Sequence, residues 1–221
     1  EYISSRNLEL RAIHVDHGLQ DESVEWSKHC VRTAKYCGIR CEVAVLDGRV
    51  PAGENTEEWA RDERYRLFKS WADRRTCILT GHHADDQAET VFYNAIRGSG
   101  PHGLSGIRSK ARFGFGYLGR PLIECRRVEL LAYARSADIK WLEDPSNRDD
   151  RLSRNFIRRR IFPVIQGRFP GAARNLQRLA KVQTDLADVL DRVADSALDR
   201  QESPNYRISI AALLEFDREL R

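Results

Sequence analysis

The chain has 221 residues, 41% of them hydrophobic, which is enough for one large domain or two small ones. It has no apolar run long enough to cross a bilayer and no visible signal peptide, so we expect no membrane partner and a cytoplasmic location. The five cysteines include no Cys-x-x-Cys pair, which argues against zinc-ribbon and thioredoxin-like redox sites. The net charge is only +4, so the distribution of charge is more informative than its sum.

Strands and helices alternate along the first part of the chain. In chain order, the patterns predict strands at 8–15, 39–46 and 76–80, helices at 21–36, 55–73 and 84–97, a strand or hairpin at 112–118 and a helix at 127–137. Helices of this length between strands predict an α/β fold, in which a parallel sheet is covered by helices on both faces. Beyond Pro170 and Gly171 the apolar residues follow a long helical stripe, which we interpret as structural packing.

Two histidines and two aspartates lie where the third predicted strand meets the next helix, in the sequence Thr-Gly-His-His-Ala-Asp-Asp-Gln-Ala-Glu-Thr at 80–90. In parallel α/β sheets, ligands bind where strands end and helices begin. On a helix, His82, Asp86 and Glu89 fall at i, i+4 and i+7 and share one face, which predicts a cluster of two carboxylates and an imidazole. The alternative is a solvated first helical turn, in which the helix dipole favours acidic residues such as Asp85.

Positive charge is concentrated in the middle of the chain. Residues 97–180 contain 18 Lys and Arg against 7 Asp and Glu, a net charge of +11, whereas residues 1–96 carry −4 and residues 181–221 carry −3. An arginine-rich segment of this kind favours a polyanionic partner, because the guanidinium group binds phosphate in a bidentate manner. The alternative is a solvated helix face.

A series of motifs runs from about Leu8 to Pro163. They are His-Val-Asp-His-Gly-Leu at 14–19, Ala-Arg-x-x-Arg-Tyr at 60–65, His-His-Ala-Asp-Asp-Gln-Ala-Glu-Thr at 82–90, Arg-Gly-Ser-Gly at 97–100, Gly-Leu-Ser-Gly at 103–106, Arg-Pro-Leu at 120–122, Trp-Leu-Glu-Asp-Pro-Ser-Asn at 141–147 and Arg-Asn-Phe-Ile-Arg at 154–158. On these motifs the chain resembles the tRNA(Ile)-lysidine synthetases, bacterial enzymes of the ATP-pyrophosphatase or PP-loop type. The resemblance implies an adenine-nucleotide α-hydrolase-like fold of Rossmann type. It also implies a catalytic domain at 1–165, followed at 166–221 by a helical linker and the start of a C-terminal tRNA-binding domain.

The resemblance further implies a ligase reaction. ATP activates C2 of the wobble cytidine in an isoleucine tRNA with a CAU anticodon, and the ε-amine of L-lysine then displaces AMP to give lysidine. Two other functions stay open, namely another PP-loop tRNA-modifying enzyme such as a thiolase, and a non-catalytic tRNA-binding scaffold. The sequence does not fix the oligomeric state, and a homodimer is one option.

Candidate residues follow from the positions of the motifs. By the resemblance, the catalytic candidates around lysine and the activated base are His82, Asp86 and Glu89. Either His82 or Asp86 accepts the proton that the attacking amine must lose. The candidates for ATP binding are His14, His17 and Asp85. Magnesium prefers carboxylate and phosphate oxygens, so Asp85 and Asp86 are also candidates for holding the Mg²⁺ that accompanies ATP.

The remaining candidates are groups that bind anions or RNA. Arg61 and Arg97 are expected to contact phosphate or the carboxylate of lysine. The candidates for tRNA binding are Arg154, Asn155 and Arg158. Arg154 and Arg158, at i and i+4, share one face of a predicted helix, and their contacts to the RNA backbone would make affinity sensitive to salt.

One expected motif is absent from the sequence. The family places a Ser-Gly-Gly-x-Asp-Ser phosphate loop before the strand that matches 10–15, whereas this chain contains no such sequence and no methionine. We interpret the chain as a piece of a longer protein without the first strand and the phosphate loop. We therefore expect a gap in the core where that strand would lie.

Overall fold

The computed structural model of the protein describes residues 8–18, 20, 22–46, 50–51, 53 and 56–199. Its strands are β1 (Arg11–Asp16), β2 (Arg40–Val45), β3 (Cys77–Leu79), β4 (Lys110–Phe113) and β5 (Gly116–Gly119). Its helices are α1 (Ser23–Tyr36), α2 (Thr56–Trp71), α3 (Ala84–Ile96), α4 (Pro101–Leu104), α5 (Arg127–Ser136), α6 (Ser153–Phe156), α7 (Phe162–Arg168) and α8 (Ala172–Asp199). A 3₁₀ turn at Pro145–Arg148 precedes α6, and a π-helical segment at Ile157–Ile161 joins α6 to α7. None of the described helices combines the length and the apolar composition that crossing a bilayer requires.

The chain divides into two compact units, residues 1–78 with 112–117, and residues 79–111 with 118–221. In the first unit β1 and β2 pair in parallel, in a register that runs from Arg11 opposite Arg40 to Asp16 opposite Val45. The connecting helix α1 packs on both strands. It is followed by Gly38, whose φ of 71° is the left-handed conformation that commonly ends a helix.

The strands β3, β5 and β4 form a second sheet, in that order. The carbonyl of Thr76 accepts from the N–H of Tyr117 at 3.1 Å, and the N–H of Thr80 donates to Gly119 at 3.0 Å. Because both strands advance together between these bonds, β3 and β5 are parallel. Two residues join β4 to β5, so the segment predicted as a strand or hairpin is a hairpin.

The central helix of the second unit is α3, in which Ala84, Ala88 and Val91 have no exposed surface. Ala88 packs in a core cluster whose other buried members are Ile157, Phe162 and Ala173. The rings of Phe92 and Phe162 meet edge to face, with centroids 5.7 Å apart. The long helix α8 packs along α3 and α4, and α6 and the π-helical segment also contact α3.

The predicted α/β class with parallel strands is confirmed, and each strand and helix predicted before residue 138 has a counterpart in the structure. The glycine-rich segment at 98–107 also contains the short helix α4. The predicted domain boundary between residues 165 and 166 stays a prediction, and residues 200–221 of the predicted second domain lie outside the described residues.

Candidate functional site

The start of α3 is fixed by a reciprocal pair of hydrogen bonds. His83 has extended backbone angles and forms the N-cap. Its Nδ1 accepts from the N–H of Asp86 at 3.2 Å, while Asp86 Oδ2 accepts from the N–H of His83 at 2.9 Å. An accepting Nδ1 places the proton of a neutral His83 ring on Nε2. This capping box uses a histidine in the position that serine or threonine usually takes, and it orients the carboxylate of Asp86.

The prediction that His82 shares a helix face with Asp86 and Glu89 is wrong. The helix begins at Ala84, so His82 lies outside it and its direction is not set by helical spacing. The Nδ1 of His82 is 2.8 Å from the hydroxyl of Thr80, at the end of β3. Asp86 and Glu89 do share one face of α3, as predicted.

Two arginines face these two carboxylates, and we call Asp86, Glu89, Arg154 and Arg158 the charge cluster. Arg158 donates through Nε to Glu89 Oε1 at 2.7 Å and through Nη2 to Glu89 Oε2 at 2.8 Å. The same Nη2 is 2.9 Å from Asp86 Oδ1. Arg154 is placed more loosely, with Nη2 3.1 Å from Asp86 Oδ1 and Nε 3.4 Å from Glu89 Oε2. The arginines come from α6 and the π-helical segment, so π geometry occurs at the point where Arg158 reaches α3.

Burial makes the charge cluster a strong electrostatic unit. The side chains of Glu89 and Asp86 are 4% and 13% exposed, whereas those of Arg158 and Arg154 are 28% and 35% exposed. Burial acts to lower the pKa of Arg158, but its hydrogen bond to Glu89 and the nearby carboxylates outweigh burial and raise the pKa above the ordinary value. Arg154 Nη2 is buried and makes no hydrogen bond of good geometry, although it lies close to Asp86. Nη2 of Arg154 is therefore held beside Asp86 by charge, without a well-aligned hydrogen bond.

Asn155 lies between the two arginines in sequence but faces the protein backbone. Its amide donates to the carbonyl of Ser146 at 2.8 Å and to that of Asp149 at 3.0 Å. These bonds attach the 3₁₀ turn to the start of α6, from which Arg154 projects. The structure thus gives Asn155 a role in positioning this turn, and its predicted contact with tRNA stays a prediction.

Asp85 points away from the charge cluster and caps another helix. Its Oδ2 accepts from the N–H of Arg127, the first residue of α5, at 2.7 Å, and its Oδ1 lies 3.5 Å from the guanidinium of Arg126. This arrangement satisfies a backbone donor that the helix leaves unpaired.

The residues predicted to hold magnesium do not fit a metal site as they are arranged. The carboxylate oxygens of Asp85 and Asp86 already lie next to N–H donors, and a cation at Asp86 would meet Arg154 and Arg158. Over the ranges that the structure describes, no three His, Cys, Asp or Glu side chains converge as a metal-binding group. Magnesium beside ATP needs only one or two carboxylates in addition to phosphate oxygens and water, so the predicted role of Asp85 and Asp86 stays a prediction.

The two predicted ATP-binding histidines belong to the first unit, where His14 lies within β1 and His17 directly follows it. His14 Nδ1 lies 3.4 Å from the thiol of Cys30, and His17 Nε2 accepts from Arg64 Nη2 at 2.9 Å. Burial is the main cause that lowers the pKa of both imidazoles. The positive charge of Arg64 lowers both pKa values as well. An accepting Nε2 leaves the proton of His17 on Nδ1, which is buried without a hydrogen-bond partner. Both histidines are thus held neutral, and His17 offers one unused donor.

The two arginines predicted to contact phosphate each lie against a tyrosine of the same helix. Arg61 is 5.2 Å from the ring centroid of Tyr65 in α2. Arg97, at the end of α3, is 5.2 Å from the centroid of Tyr93 and donates to its hydroxyl at 3.0 Å. Both guanidinium groups are exposed, and their predicted role stays a prediction.

Sequence reasoning missed which basic residues are neutralised by the protein itself. Arg151 pairs with Asp149, and Arg160 pairs with Asp150, each at 2.7 Å. In contrast, the side chains of three exposed residues on one side of α8 make no ion pair or hydrogen bond with any residue that the structure describes. We call them the α8 basic row: Arg174, Arg178 and Lys181. Their spacing of i, i+4 and i+7 was visible in the sequence, but the partners of the other arginines were not.

Comparison with known proteins agrees with the motifs. The sequence profile of the PP-loop domain matches residues 1–165. The tRNA(Ile)-lysidine synthase of Methylococcus capsulatus is 43% identical over 189 residues, which cover 86% of this chain and 43% of that protein. The tRNA(Ile)-lysidine synthase of Alkalilimnicola ehrlichii is 39% identical over 212 residues, which cover 96% of this chain and 48% of that protein. The resemblance predicted from the motifs is confirmed.

A solved structure supports the fold. The U34-tRNA thiolase NcsA from Methanococcus maripaludis, described with its [4Fe-4S] cluster, superposes with a TM-score of 0.66 at 20% identity. The match covers 80% of this chain and 63% of that one, and at this identity it shows the fold alone. The chain spans a little under half the length of the curated relatives named above. With a domain profile that extends over residues 1–165, the chain belongs to the PP-loop domain family.

Proposed function

We propose that this chain serves the ATP-dependent ligation of lysine to C2 of the wobble cytidine of isoleucine tRNA with a CAU anticodon. The reaction passes through an adenylated cytidine and gives lysidine. The observation that carries this proposal is the pair of buried carboxylates on α3, Asp86 and Glu89, in a chain whose curated relatives are tRNA(Ile)-lysidine synthases. A buried carboxylate requires a cationic partner, which Arg154 and Arg158 supply in the protein alone, and lysine is a cationic amino acid that suits the same carboxylates.

The roles of the residues follow from their surroundings. Glu89 is the more deeply buried carboxylate, and we assign it to the lysine ammonium group. The amine must lose a proton before it attacks, and either Asp86 or His82 accepts that proton. The neutral imidazoles of His14 and His17 suit contacts to a nucleoside, since they add no charge beside the adenine or ribose.

The tRNA supplies the anion that the basic segment favours. Arg154 and Arg158 are assigned to phosphate contacts near the reacting nucleotide, with Asn155 holding the turn beside them. The α8 basic row adds exposed cations that the described part of the protein leaves unneutralised. Together these groups account for a polyanionic partner. We further propose a cytoplasmic location and, as an option for the assembly, a homodimer.

The thiolase alternative is less well supported by the side chains. All five cysteines are free, and no group of three potential metal ligands occurs within the described residues. An iron–sulfur cluster is normally held by several cysteine thiolates. A non-catalytic scaffold is also less well supported, because a surface that only binds RNA gains nothing from carboxylates that neutralise its own arginines.

The deciding experiment uses the complete gene product that contains this chain. The protein is incubated with ATP, Mg²⁺, radiolabelled lysine and isoleucine tRNA with a CAU anticodon, and methionine tRNA serves as the control. Label on the isoleucine tRNA alone, lost on Asp86→Asn while tRNA remains bound, is the expected result. Absence of label on a tRNA that still binds would refute ligation and favour a sulfur-transferring or binding-only relative.

A further inference from the structure

The charge cluster is neutral as a whole, and that balance limits what can bind to it. Its two carboxylates and two guanidinium groups form contacts of 2.7–3.4 Å, and both carboxylates are largely buried. A lysine ammonium group that reached Glu89 alone would give three cations for two carboxylates in a partly desolvated site. A phosphate that drew away one arginine without a lysine in its place would leave two buried carboxylates facing a single guanidinium group. Either change is costly when it occurs singly.

We propose that the charge cluster exchanges one partner, so that the lysine ammonium group takes the place of Arg154 beside the carboxylates while Arg154 passes to a phosphate of ATP or tRNA. This inference rests on the proposed function and adds a coupling between its two substrates. The exchange keeps every charge compensated when the cation and the anion bind together. The two classes of ligand therefore bind cooperatively, without direct contact between them.

The contacts indicate which of the two arginines leaves the carboxylates. Arg158 holds Glu89 through a bidentate fork at 2.7 and 2.8 Å, the arrangement that favours a fixed carboxylate. Arg154 is more exposed, its Nε is 3.4 Å from Glu89, and its Nη2 makes no hydrogen bond. Arg154 is thus the side chain that transfers to phosphate at the lower cost, and Arg158 remains to orient Glu89.

The exchange also explains why the same four residues carry two sets of predicted roles. The carboxylates are candidates for lysine, and the arginines are candidates for RNA or phosphate, yet in the protein they bind each other. A guanidinium that competes with the ammonium group for Glu89 lowers the affinity for lysine when no anion is present. Free lysine then binds more weakly unless a phosphate ligand is available to receive Arg154.

The test measures the affinity of lysine by titration calorimetry with the complete gene product. Lysine is titrated alone, with a non-hydrolysable ATP analogue, with isoleucine tRNA, and with both. We expect at least one anion to raise the lysine affinity by about tenfold, within the usual range of coupling between sites, and lysine to raise the affinity of that anion by the same factor. The two anion arms distinguish the phosphates of ATP from those of tRNA.

Variants separate this coupling from simple stability. Arg154→Gln should raise the affinity for lysine alone and reduce the effect of the anion to about twofold or less. Arg158→Lys, which keeps the charge without the fork, should retain most of the coupling. Arg160→Gln is the matched control, because this neighbouring arginine is exposed and pairs with Asp150 outside the cluster. Thermal unfolding of each variant confirms that it is folded.

Each outcome decides the inference. A lysine affinity that is the same with and without every anion, in the folded wild-type protein, overturns it, even if the protein ligates lysine to tRNA. Absence of lysine binding in the folded protein under all four conditions overturns the inference as well. Coupling that disappears in Arg154→Gln and persists in Arg160→Gln supports the exchange, even if the ligation assay fails. The proposed function and this inference can therefore fail separately.

Discussion

Glu89 compensates Arg158 and is also the residue that we propose for lysine binding, and one substitution tests both. Glu89→Gln keeps the shape of the side chain but removes the charge that compensates Arg158. We expect the free energy of unfolding to fall by about 2 kcal/mol, less than for a fully buried pair because Arg158 is partly exposed to water. We also expect the KM for lysine to rise more than the KM for ATP.

Urea unfolding and steady-state kinetics measure these two effects of Glu89→Gln. Glu25→Gln is the matched control for stability, because Glu25 pairs with Lys28 on the surface of α1 at 2.7 Å. An exposed pair of this kind contributes at most about 1 kcal/mol. Equal changes in the two KM values would contradict the assignment of Glu89 to lysine.

The lowered pKa of His17 predicts how the free energy of unfolding depends on pH. Its pKa lies below the ordinary value of 6.5 because of burial and the charge of Arg64, so the unfolded chain binds a proton more readily than the folded one. The contribution is fully present above about pH 6.5 and is lost as the pH falls through the ordinary pKa toward the lowered one. His17→Gln keeps an acceptor for Arg64 but does not titrate, so we expect a shallower loss of Tm on acidification.

Thermal unfolding between about pH 5 and pH 8 tests this prediction, since an ordinary imidazole changes its charge in that interval. His102→Gln is the control, because His102 lies on the surface of the other unit and pairs with Asp191 at 2.8 Å. His14 has a pKa lowered by the same main cause, so part of the pH dependence should persist in His17→Gln. An identical slope in wild type and His17→Gln would show that His17 does not titrate differently on folding.

At single residues, local spacing predicted some features of the candidate site and missed others. The shared face of Asp86 and Glu89 follows from helical periodicity alone. His82 was misplaced because the same periodicity was counted from a residue that precedes the N-cap. The arginines that face Glu89 lie 65 and 69 residues away along the chain, so no local pattern relates them to it.

At the level of elements, the α8 basic row is a surface that we propose for contact with a nucleic acid. Arg174→Ala with Arg178→Ala removes two exposed cations that have no acidic partner among the described residues. If both contact RNA phosphates, the slope of log affinity against log salt should become shallower by about 1.5 to 2 units. The affinity at low salt should fall as well, because fewer counterions are released.

Filter binding of isoleucine tRNA over a range of salt concentrations measures both effects. The matched control is Arg151→Ala with Arg160→Ala, which removes the same charge from side chains that pair with Asp149 and Asp150. Since aspartates already offset these arginines, the control should change the slope less. Equal slopes for the two double variants would show that the α8 basic row is not a specific contact surface for the tRNA.

At the level of elements, the alternation of strands and helices was predictable because each apolar run is short and ends at a residue that favours a turn. Gly38 and Gly98 follow α1 and α3, and both adopt positive φ. The division of the described strands into two sheets and the π-helical segment were not predictable. They depend on which elements pack together, and sequence periodicity does not encode that packing.

For the whole molecule, charge and burial indicate the same class of partner. The basic middle segment, with a net charge of +11, belongs mostly to the second unit. There the protein neutralises part of it through Asp86, Glu89, Asp149 and Asp150 and leaves the α8 basic row exposed. A lysine-to-tRNA ligase needs both kinds of site, a buried carboxylate for the amino acid and an uncompensated surface for RNA.

The cysteines allow a test of the proposed ligase chemistry against thiolase chemistry. Sulfur transfer requires a reactive thiolate or a cluster held by thiolates. Burial raises the pKa of Cys30 and Cys41, which disfavours their thiolate forms, while Cys37 and Cys77 are exposed and free. We expect Cys37→Ser with Cys77→Ser to keep kcat/KM for lysine ligation within about twofold of wild type.

The same variants are assayed for transfer of labelled sulfide to tRNA, with an authentic thiolase as the positive control. Cys30→Ala is included because Cys30 lies beside His14, so a moderate loss of ligation there would reflect altered packing around a nucleotide-binding candidate. Loss of all activity in the folded Cys37→Ser, Cys77→Ser protein would contradict the ligase assignment. Ligation that survives in this variant, with no sulfur transferred, would leave the buried carboxylates of α3 as the groups that define the chemistry.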